Sequence, residues 1–164
     1  MRRKQVKSLK SRCLETIGPY VTNSIRQTVN RADAVVWYSM LQGDNIHLDP
    51  ESVIKQQVQK LKHHIWSHVI WYDYNAMFKI LLRSIDDAVQ ITRKSWKPSW
   101  DVNLYNQEIE HVTAFIYIAI NYEMRHLDFA DIPNTVRSMV IERLPNYSKL
   151  QSLILRAYHK STGN

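Results

Sequence analysis

Apolar residues recur at helical intervals along most of the chain. From about Tyr20 to Gln42 they are spaced three or four residues apart, which places them on one face of an α-helix. The members of this face are Val21, Ile25, Val29, Ala32, Val36 and Met40. Gly43 predicts the end of the helix, because glycine is favoured immediately after a helix C-terminus.

A second pattern begins at a strong helix-start signal. Asp49 is suited to cap the helix N-terminus, Pro50 fits the first helical position, and Glu51 favours the first turn. Apolar residues then recur as far as about Thr92, over roughly forty residues, which is longer than an ordinary globular helix. We therefore expect a kink or break between Trp71 and Asn75.

After a loop-like stretch at residues 94–100, three further helices are predicted. They cover Asn103 to about Asp128, Asp131-Ile132-Pro133 to Leu144, and a last segment with Leu150, Leu153, Ile154 and Ala157 on one face. No run alternates strictly between apolar and polar residues, so no strands are expected. The pattern predicts an all-α protein, in which a basic N-terminal helical arm precedes a bundle of about four to five helices.

The first residues form an amphipathic pattern of their own. Basic residues fall on one helical stripe and apolar residues on the neighbouring stripe. The basic stripe is Arg3, Lys4, Lys7 and Lys10, and the apolar stripe is Val6, Leu9, Cys13 and Ile17. Gly18-Pro19 predicts the end of this helix, because proline lacks a backbone N–H and disfavours helix at the preceding residue. We divide the chain into a nucleic-acid-binding arm, residues 1–31, and a helical bundle domain, residues 32–164.

The net charge is confined to the arm. The first 31 residues contain eight basic residues and one acid, Glu15, whereas residues 32–164 contain 14 basic and 14 acidic residues. The whole formal net charge of +7 therefore lies in the arm, which predicts binding to a polyanion. The predicted DNA-binding residues are Arg2, Arg3, Lys4, Lys7, Lys10, Arg12, Arg26 and Arg31. A disordered basic tail that only improves solubility is the alternative interpretation.

Composition narrows the class of protein. The sequence contains only three glycines and five prolines, and this low content favours mostly helical structure. The single cysteine, Cys13, excludes an internal disulfide. The longest apolar run, Val112 to Ile120, is about half of the roughly 20 residues that a membrane-spanning helix needs. The sequence contains no zinc finger, glycine-rich phosphate loop or aromatic RNA-binding signature, so contact with the nucleic-acid backbone is expected.

The candidate catalytic motifs lack the spacing or the residues that their chemistry requires. Glu108-x-x-His111 and Glu123-x-x-His126 have the spacing of di-iron ligands, but fifteen residues on one predicted helix separate them by about 22 Å. His64 and His68 lack the intervening glutamate of the zinc-protease pattern, and no serine lies in a glycine-flanked nucleophile motif. We predict that the protein is not an enzyme and has no metal or other cofactor.

Two tryptophans lie in the basic loop. Trp96 and Trp100 could stack on bases or pack across a subunit contact, and covering the bundle core is an equally good interpretation. The apolar stripe of the arm would be buried against a neighbouring subunit, so that the basic stripe remains exposed to phosphate. The predicted subunit-contact residues are Val6, Leu9, Ile17, Trp96 and Trp100.

A short chain with a basic helical arm and a bundle rich in tyrosine and isoleucine resembles the major coat proteins of filamentous and rod-shaped archaeal viruses with linear double-stranded DNA. The resemblance is one of architecture and composition, covers the whole chain, and is most telling in the arm from Arg2 to Arg31. It implies that helical arms of paired subunits wrap double-stranded DNA, held in an A-like form, within a helical nucleocapsid.

The resemblance also implies partners and a location. The partner subunit would be a second copy or a paralogous coat protein, forming a homodimer or heterodimer, and some members of the family carry a lipid envelope. The protein would be found in the virion, which is assembled in the host cytoplasm. Three alternatives stay open: a small helical subunit of a CRISPR effector complex, a protein-interaction module that binds an acidic partner, and a metalloenzyme.

Overall fold

The computed structural model describes residues 8–42, 49–68, 74–97 and 101–154. Within this part of the chain the α-helices are α1 (Leu9–Gln42), α2 (Pro50–Trp66), α3 (Tyr74–Ser95), α4 (Val102–Ala114) and α5 (Asn134–Ile141). Two short 3₁₀ helices cover Phe115–Ala119 and Leu144–Asn146, and two three-residue strands are β1 (His126–Asp128) and β2 (Ser152–Ile154). The predicted all-α helical bundle is confirmed. None of the described helices is both long and apolar enough to cross a membrane.

Helix α1 is continuous through Pro19, so the predicted end of the arm helix at Gly18-Pro19 is wrong. Proline inside a helix costs about 3 kcal/mol. This cost is outweighed because Val21 and Ile25, in the turns that follow, are completely buried in the core. Ile17, in the turn before Pro19, packs against the same core. The predicted boundary between residues 31 and 32 therefore falls inside one helix.

Helices α1 and α3 approach closely at a small-residue contact. The Ser84 hydroxyl lies 2.7 Å from the Ile80 carbonyl oxygen and 3.2 Å from that of Gly18. The Thr22 hydroxyl donates to the carbonyl of Ser84 over 3.2 Å. These hydrogen bonds join the backbones of α1 and α3 through two hydroxyl side chains.

Helix α2 begins where the sequence predicted. The Asp49 carboxylate accepts hydrogen bonds of 3.2 Å from the backbone N–H groups of Glu51 and Ser52, and Pro50 occupies the first helical position. The helix ends at Trp66 and α3 begins at Tyr74, so the long pattern is indeed broken into two helices. Residues 69–73, which include the first three residues of the predicted break, lie outside the described residues.

Helix α4 is much shorter than predicted. It begins after Asp101, which accepts a hydrogen bond from the Asn103 N–H, but it ends at Ala114 instead of continuing to about Asp128. The following apolar segment is a 3₁₀ helix in which all residues except Tyr117 are buried. Where a segment is buried on nearly every side, burial no longer favours the α-helical period. The Trp66 indole donates a 2.6 Å hydrogen bond to the Ile118 carbonyl, which satisfies part of this irregular backbone.

The prediction of no strands and of a last helix at residues 150–157 is wrong. β1 and β2 pair in parallel, with Leu127 opposite Leu153, and the Phe129 N–H extends the pairing to the Ile154 carbonyl. Such short strands carry too few residues to show alternation. Ala157 lies outside the described residues, and α5 ends at Ile141 rather than at Leu144.

Candidate nucleic-acid interface

The predicted DNA-binding residues that the structure describes lie on α1. The side chains of Arg12, Arg26 and Arg31 are exposed to solvent. The Lys10 backbone belongs to the first turn of α1, but its side chain lies outside the description. Four further predicted residues precede the described part of the chain: Arg2, Arg3, Lys4 and Lys7.

These arginines are spread over the exposed face of α1. Each residue turns a helix by about 100° and advances it by about 1.5 Å. Arg12 and Arg26 therefore lie on nearly the same side of α1 and about 21 Å apart along its axis. Arg26 and Arg31 differ by about 140°, which places them towards opposite edges of the exposed face. The cations follow the length of the helix without forming one narrow stripe.

Arg26 lies near an acidic cluster. Burial and the charge of Asp33 raise the pKa of the Glu108 carboxyl, and His111 and Arg26 oppose this shift. His111 is buried, and its Nδ1 atom is 3.8 Å from a carboxylate oxygen of Asp33. The Glu108 carboxylate therefore offsets part of the positive charge of Arg26.

Three basic residues at the end of α3 are not among the predicted DNA-binding residues. Arg93, Lys94 and Lys97 are exposed, and Lys94 lines the same surface groove as Leu14 of α1. Gly18 lies beside Ile80 and Ser84, and Thr22, one turn later, donates to the Ser84 carbonyl, so the two helices run in the same direction here. The end of α3 therefore lies towards the second half of α1, away from Arg12. The sequence does indicate a local excess of positive charge here, because residues 88–100 contain no acid.

Arg93, Lys94 and Lys97 form a basic cluster at the end of α3, whereas Arg12 lies near the start of α1. The nearest carboxylates along the chain are those of Glu15 on α1 and Asp101, which caps α4. A further carboxylate, Asp87, lines the α1–α3 groove one turn after Arg83. The acidic cluster around Asp33 is about 32 Å from Arg12 along the axis of α1, beyond the screening length of about 8 Å at physiological salt.

The predicted subunit-contact residues have different surroundings. Leu9 is 79% exposed, whereas Ile17 is half-buried against the core of its own chain. Successive steps of four residues rotate the position by about 40° each, which carries the predicted apolar stripe from the solvent side towards the core. Trp96 is half-buried, and its ring centroid lies 5.0 Å from that of Tyr105 on α4. The other two residues in this set, Val6 and Trp100, lie outside the described residues.

The candidate metal ligands are separated by the fold. Glu108 and His111 lie on α4, whereas His126 lies on β1, where its Nδ1 atom is 2.7 Å from the Ser152 hydroxyl. The two rings of His64 and His68 meet edge to face, with centroids 5.5 Å apart. Among the described residues, no group of three or more histidine, cysteine, aspartate or glutamate side chains is placed to hold a metal ion.

A scan against protein-family models finds no match, and searches of curated proteins and of solved structures also return no match. The functional proposal therefore rests on the charge and geometry of this chain.

Proposed function

We propose that this protein is a structural DNA-binding protein that holds the backbone of double-stranded DNA without recognising base sequence. The observation that carries the proposal is the confinement of the net charge of +7 to the first 31 residues, whose described arginines are all exposed. Arginine and lysine neutralise phosphates and release their counterions, and this term supplies most non-specific affinity for DNA.

The exposed face of α1 suits backbone contacts. Between the arginines it carries hydroxyl and amide side chains, which also donate hydrogen bonds to phosphate oxygens. The exposed members of this kind are Thr16, Asn23, Gln27 and Asn30. A long exposed helix of this composition can follow a groove or a strand of phosphates, and nothing in it provides a set of groups for one particular base sequence.

Assembly into a helical nucleocapsid is the finer part of the proposal. Leu9 is 79% exposed and Tyr20 is 54% exposed, on the same face of α1 as the arginines. A neighbouring copy, or a paralogous coat protein, would cover such apolar positions and leave the basic residues facing DNA. The expected location in a virion, with or without a lipid envelope, belongs to this same proposal.

A second candidate is a small helical nucleic-acid-binding subunit of a CRISPR effector complex. Such subunits distribute positive charge over a bundle face. The exposed Arg93 and Lys94 beside α1 extend the charge from the arm onto the bundle in this way. The two candidates differ in assembly: the coat protein would form filaments with duplex DNA alone, whereas the CRISPR subunit would need its RNA and partner proteins.

Deletion of residues 1–11 tests the DNA-binding proposal. The deletion removes five basic residues, so we expect most affinity for a 30-base-pair duplex to be lost and the slope of log K against log salt to become shallower by about 4 to 5. Helical circular dichroism should persist, because the described core contacts of α1 begin at Leu14. A single-charge comparison is Lys60→Gln on α2, an exposed lysine outside the arm, which should reduce the slope by no more than about 1.

Two further measurements complete this test. Unrelated duplexes of equal length should compete within a few-fold, whereas a preference of about 1000-fold would reveal base recognition. Electron microscopy with duplex DNA should show filaments of constant mass per length. Unchanged affinity and salt slope after the deletion would contradict the DNA-binding proposal, and binding to acidic protein instead would favour the interaction-module alternative.

A further inference from the structure

We propose that the first turns of α1 dock into the cleft between α2 and α4 of a second copy of this chain, in a head-to-tail contact that repeats along a filament. This inference deepens the proposed assembly and rests on it. It names the two surfaces that neighbouring copies bring together, which we call the exposed ridge and the α2–α4 cleft.

The exposed ridge lies on the side of α1 that faces away from the core. It consists of Leu9, Cys13, Thr16 and Tyr20. Steps of four, three and four residues align these side chains along one side of a helix. All four are exposed, Leu9 by 79% and Tyr20 by 54%, whereas the core side of the same helix carries Val21 and Ile25. The ridge therefore offers apolar surface that the described part of its own chain leaves exposed.

The α2–α4 cleft has the form of a groove for a helix. It has a volume of about 720 Å³ and is lined by one face of α2 and one face of α4. The buried Ile54 and Val58 form its apolar floor. Grooves of this kind receive the apolar face of an amphipathic helix. The ridge is about 16 Å long, and the wall of the cleft from Asn103 to Ala114 has the same length, because each spans eleven helical steps.

The two surfaces carry opposite net charge. With histidine neutral, the charged side chains that line the cleft are Glu51, Lys55 and Glu110. Those of residues 9–20 are Lys10, Arg12 and Glu15. One base and two acids give the cleft a net charge of −1, whereas two bases and one acid give residues 9–20 a net charge of +1. Opposite charges favour the encounter of the two surfaces and fix the register of the contact.

The ridge cannot occupy the cleft of its own chain. His111 lines the cleft, and its Nδ1 atom is 3.8 Å from a carboxylate oxygen of Asp33. Asp33 follows Leu9 by 24 residues on one continuous helix, which places the cleft about 36 Å from the start of the ridge along α1. The contact must therefore join different surfaces of two copies. A contact of this kind generates a filament when its rotation does not close a ring.

A two-fold contact between two ridges is the competing explanation. The two explanations differ in the number of copies that they connect, because a two-fold contact joins the same surface of both partners and stops at a dimer. Cys13 is the only cysteine of the chain and lies exposed on the ridge, so it provides a chemical probe of this surface.

The experiment is cross-linking of the full-length Asn106→Cys variant with a short bismaleimide, with and without duplex DNA. Asn106 is exposed and lines the cleft, so the substitution should not disturb folding. Each copy then carries one thiol on the ridge and one in the cleft, and we expect a ladder of dimers, trimers and larger products. Gln59→Cys, on the α2 wall of the cleft, should also give a ladder. The matched control is Lys60→Cys, an exposed position of α2 outside the cleft lining, which should give no ladder beyond the dimer.

A second variant tests the ridge itself. Adding Tyr20→Asp to the Asn106→Cys variant should reduce products larger than a dimer by about tenfold or more, because an unpaired charge would be buried in the contact. Tyr122→Asp is the matched control, since its side chain is also 54% exposed, and it should leave the ladder unchanged.

The outcomes separate this inference from the proposed function. Products that stop at the dimer, or no cross-linked product at all, would refute the head-to-tail contact. Equal ladders from Asn106→Cys and Lys60→Cys would also refute it, because random collision would then explain both. If the contact is refuted while deletion of residues 1–11 still abolishes duplex affinity, DNA binding stands. If the deletion leaves duplex affinity and salt slope unchanged, the DNA-binding proposal fails whether or not a ladder forms.

Discussion

The continuity of α1 through Gly18 and Pro19 predicts the sign of two stability changes. An alanine Cβ at position 18 would lie 3.6 Å from the Ser84 hydroxyl oxygen and 3.8 Å from a methyl carbon of Ile80, both ordinary contact distances. Gly18→Ala should therefore gain the helix-propensity difference, about 0.8–1 kcal/mol, without a steric penalty. For a chain of this size, that corresponds to an increase in Tm of about 2–4 °C.

Pro19→Ala should also stabilise the protein. Pro19, inside α1, has no backbone N–H for the i→i−4 hydrogen bond of the helix, and alanine supplies that N–H. Because proline costs about 3 kcal/mol in a helix interior and its surroundings here have adapted to it, we expect a gain of about 1–3 kcal/mol. Pro50 provides the matched control. It occupies the first position of α2, where no intrahelical hydrogen bond is missing, so Pro50→Ala should be close to neutral or slightly destabilising.

Thermal and urea unfolding, followed by far-ultraviolet circular dichroism, measure these differences. A helix that ended at Gly18 would give the opposite pattern. Its C-terminal glycine would adopt a left-handed backbone, so alanine would destabilise it, and Pro19 would begin a new helix and behave like Pro50. A lower Tm for Gly18→Ala, or equal effects of the two proline substitutions, would refute the continuous helix.

Two further predictions concern ionisation. Burial raises the pKa of the Tyr147 phenol, partly opposed by Arg143, so folding stability should fall as pH rises above about 10, where the unfolded tyrosine ionises. Tyr147→Phe should weaken this decline in urea titrations, and an unchanged decline would contradict the assignment. Burial and Asp33 raise the pKa of Glu108, so Glu108→Gln should stabilise the protein at pH 7 and lose this advantage below about pH 4. The exposed Glu110→Gln is its control, and equal effects would contradict the burial argument.

The candidate interface shows how far local sequence information extends to function. Charge counting identifies Arg12 as a surface cation of the N-terminal segment, and the structure places it on the exposed face of α1. The same count treats Arg26 as equivalent, although the Glu108 carboxylate of α4 lies close enough to interact with it. Lys94 is missed because the count treats residues 32–164 as one neutral block of 14 basic and 14 acidic residues, although residues 88–100 contain no acid. Its position beside α1 depends on how the two helices pack.

The sequence by itself determined the features whose physical causes are local. The Asp49-Pro50 start of α2 follows from hydrogen bonding within one turn, and the helical class follows from the spacing of apolar residues. The separation of the net charge into the first 31 residues requires no structure at all. These features depend on residues that are close together in the chain, so packing elsewhere does not reverse them.

The tertiary structure decided the features in which a long-range contact competes with a local preference. Burial of Val21 and Ile25 carries α1 through Pro19, although proline locally favours a break. The 3₁₀ segment after Ala114 is tolerated because Trp66, far away in the chain, donates to its backbone. The strand pair needs Leu127 and Leu153 to meet across 26 residues, and neither strand is stable alone. In each case the deciding free energy comes from groups that the chain brings together only on folding.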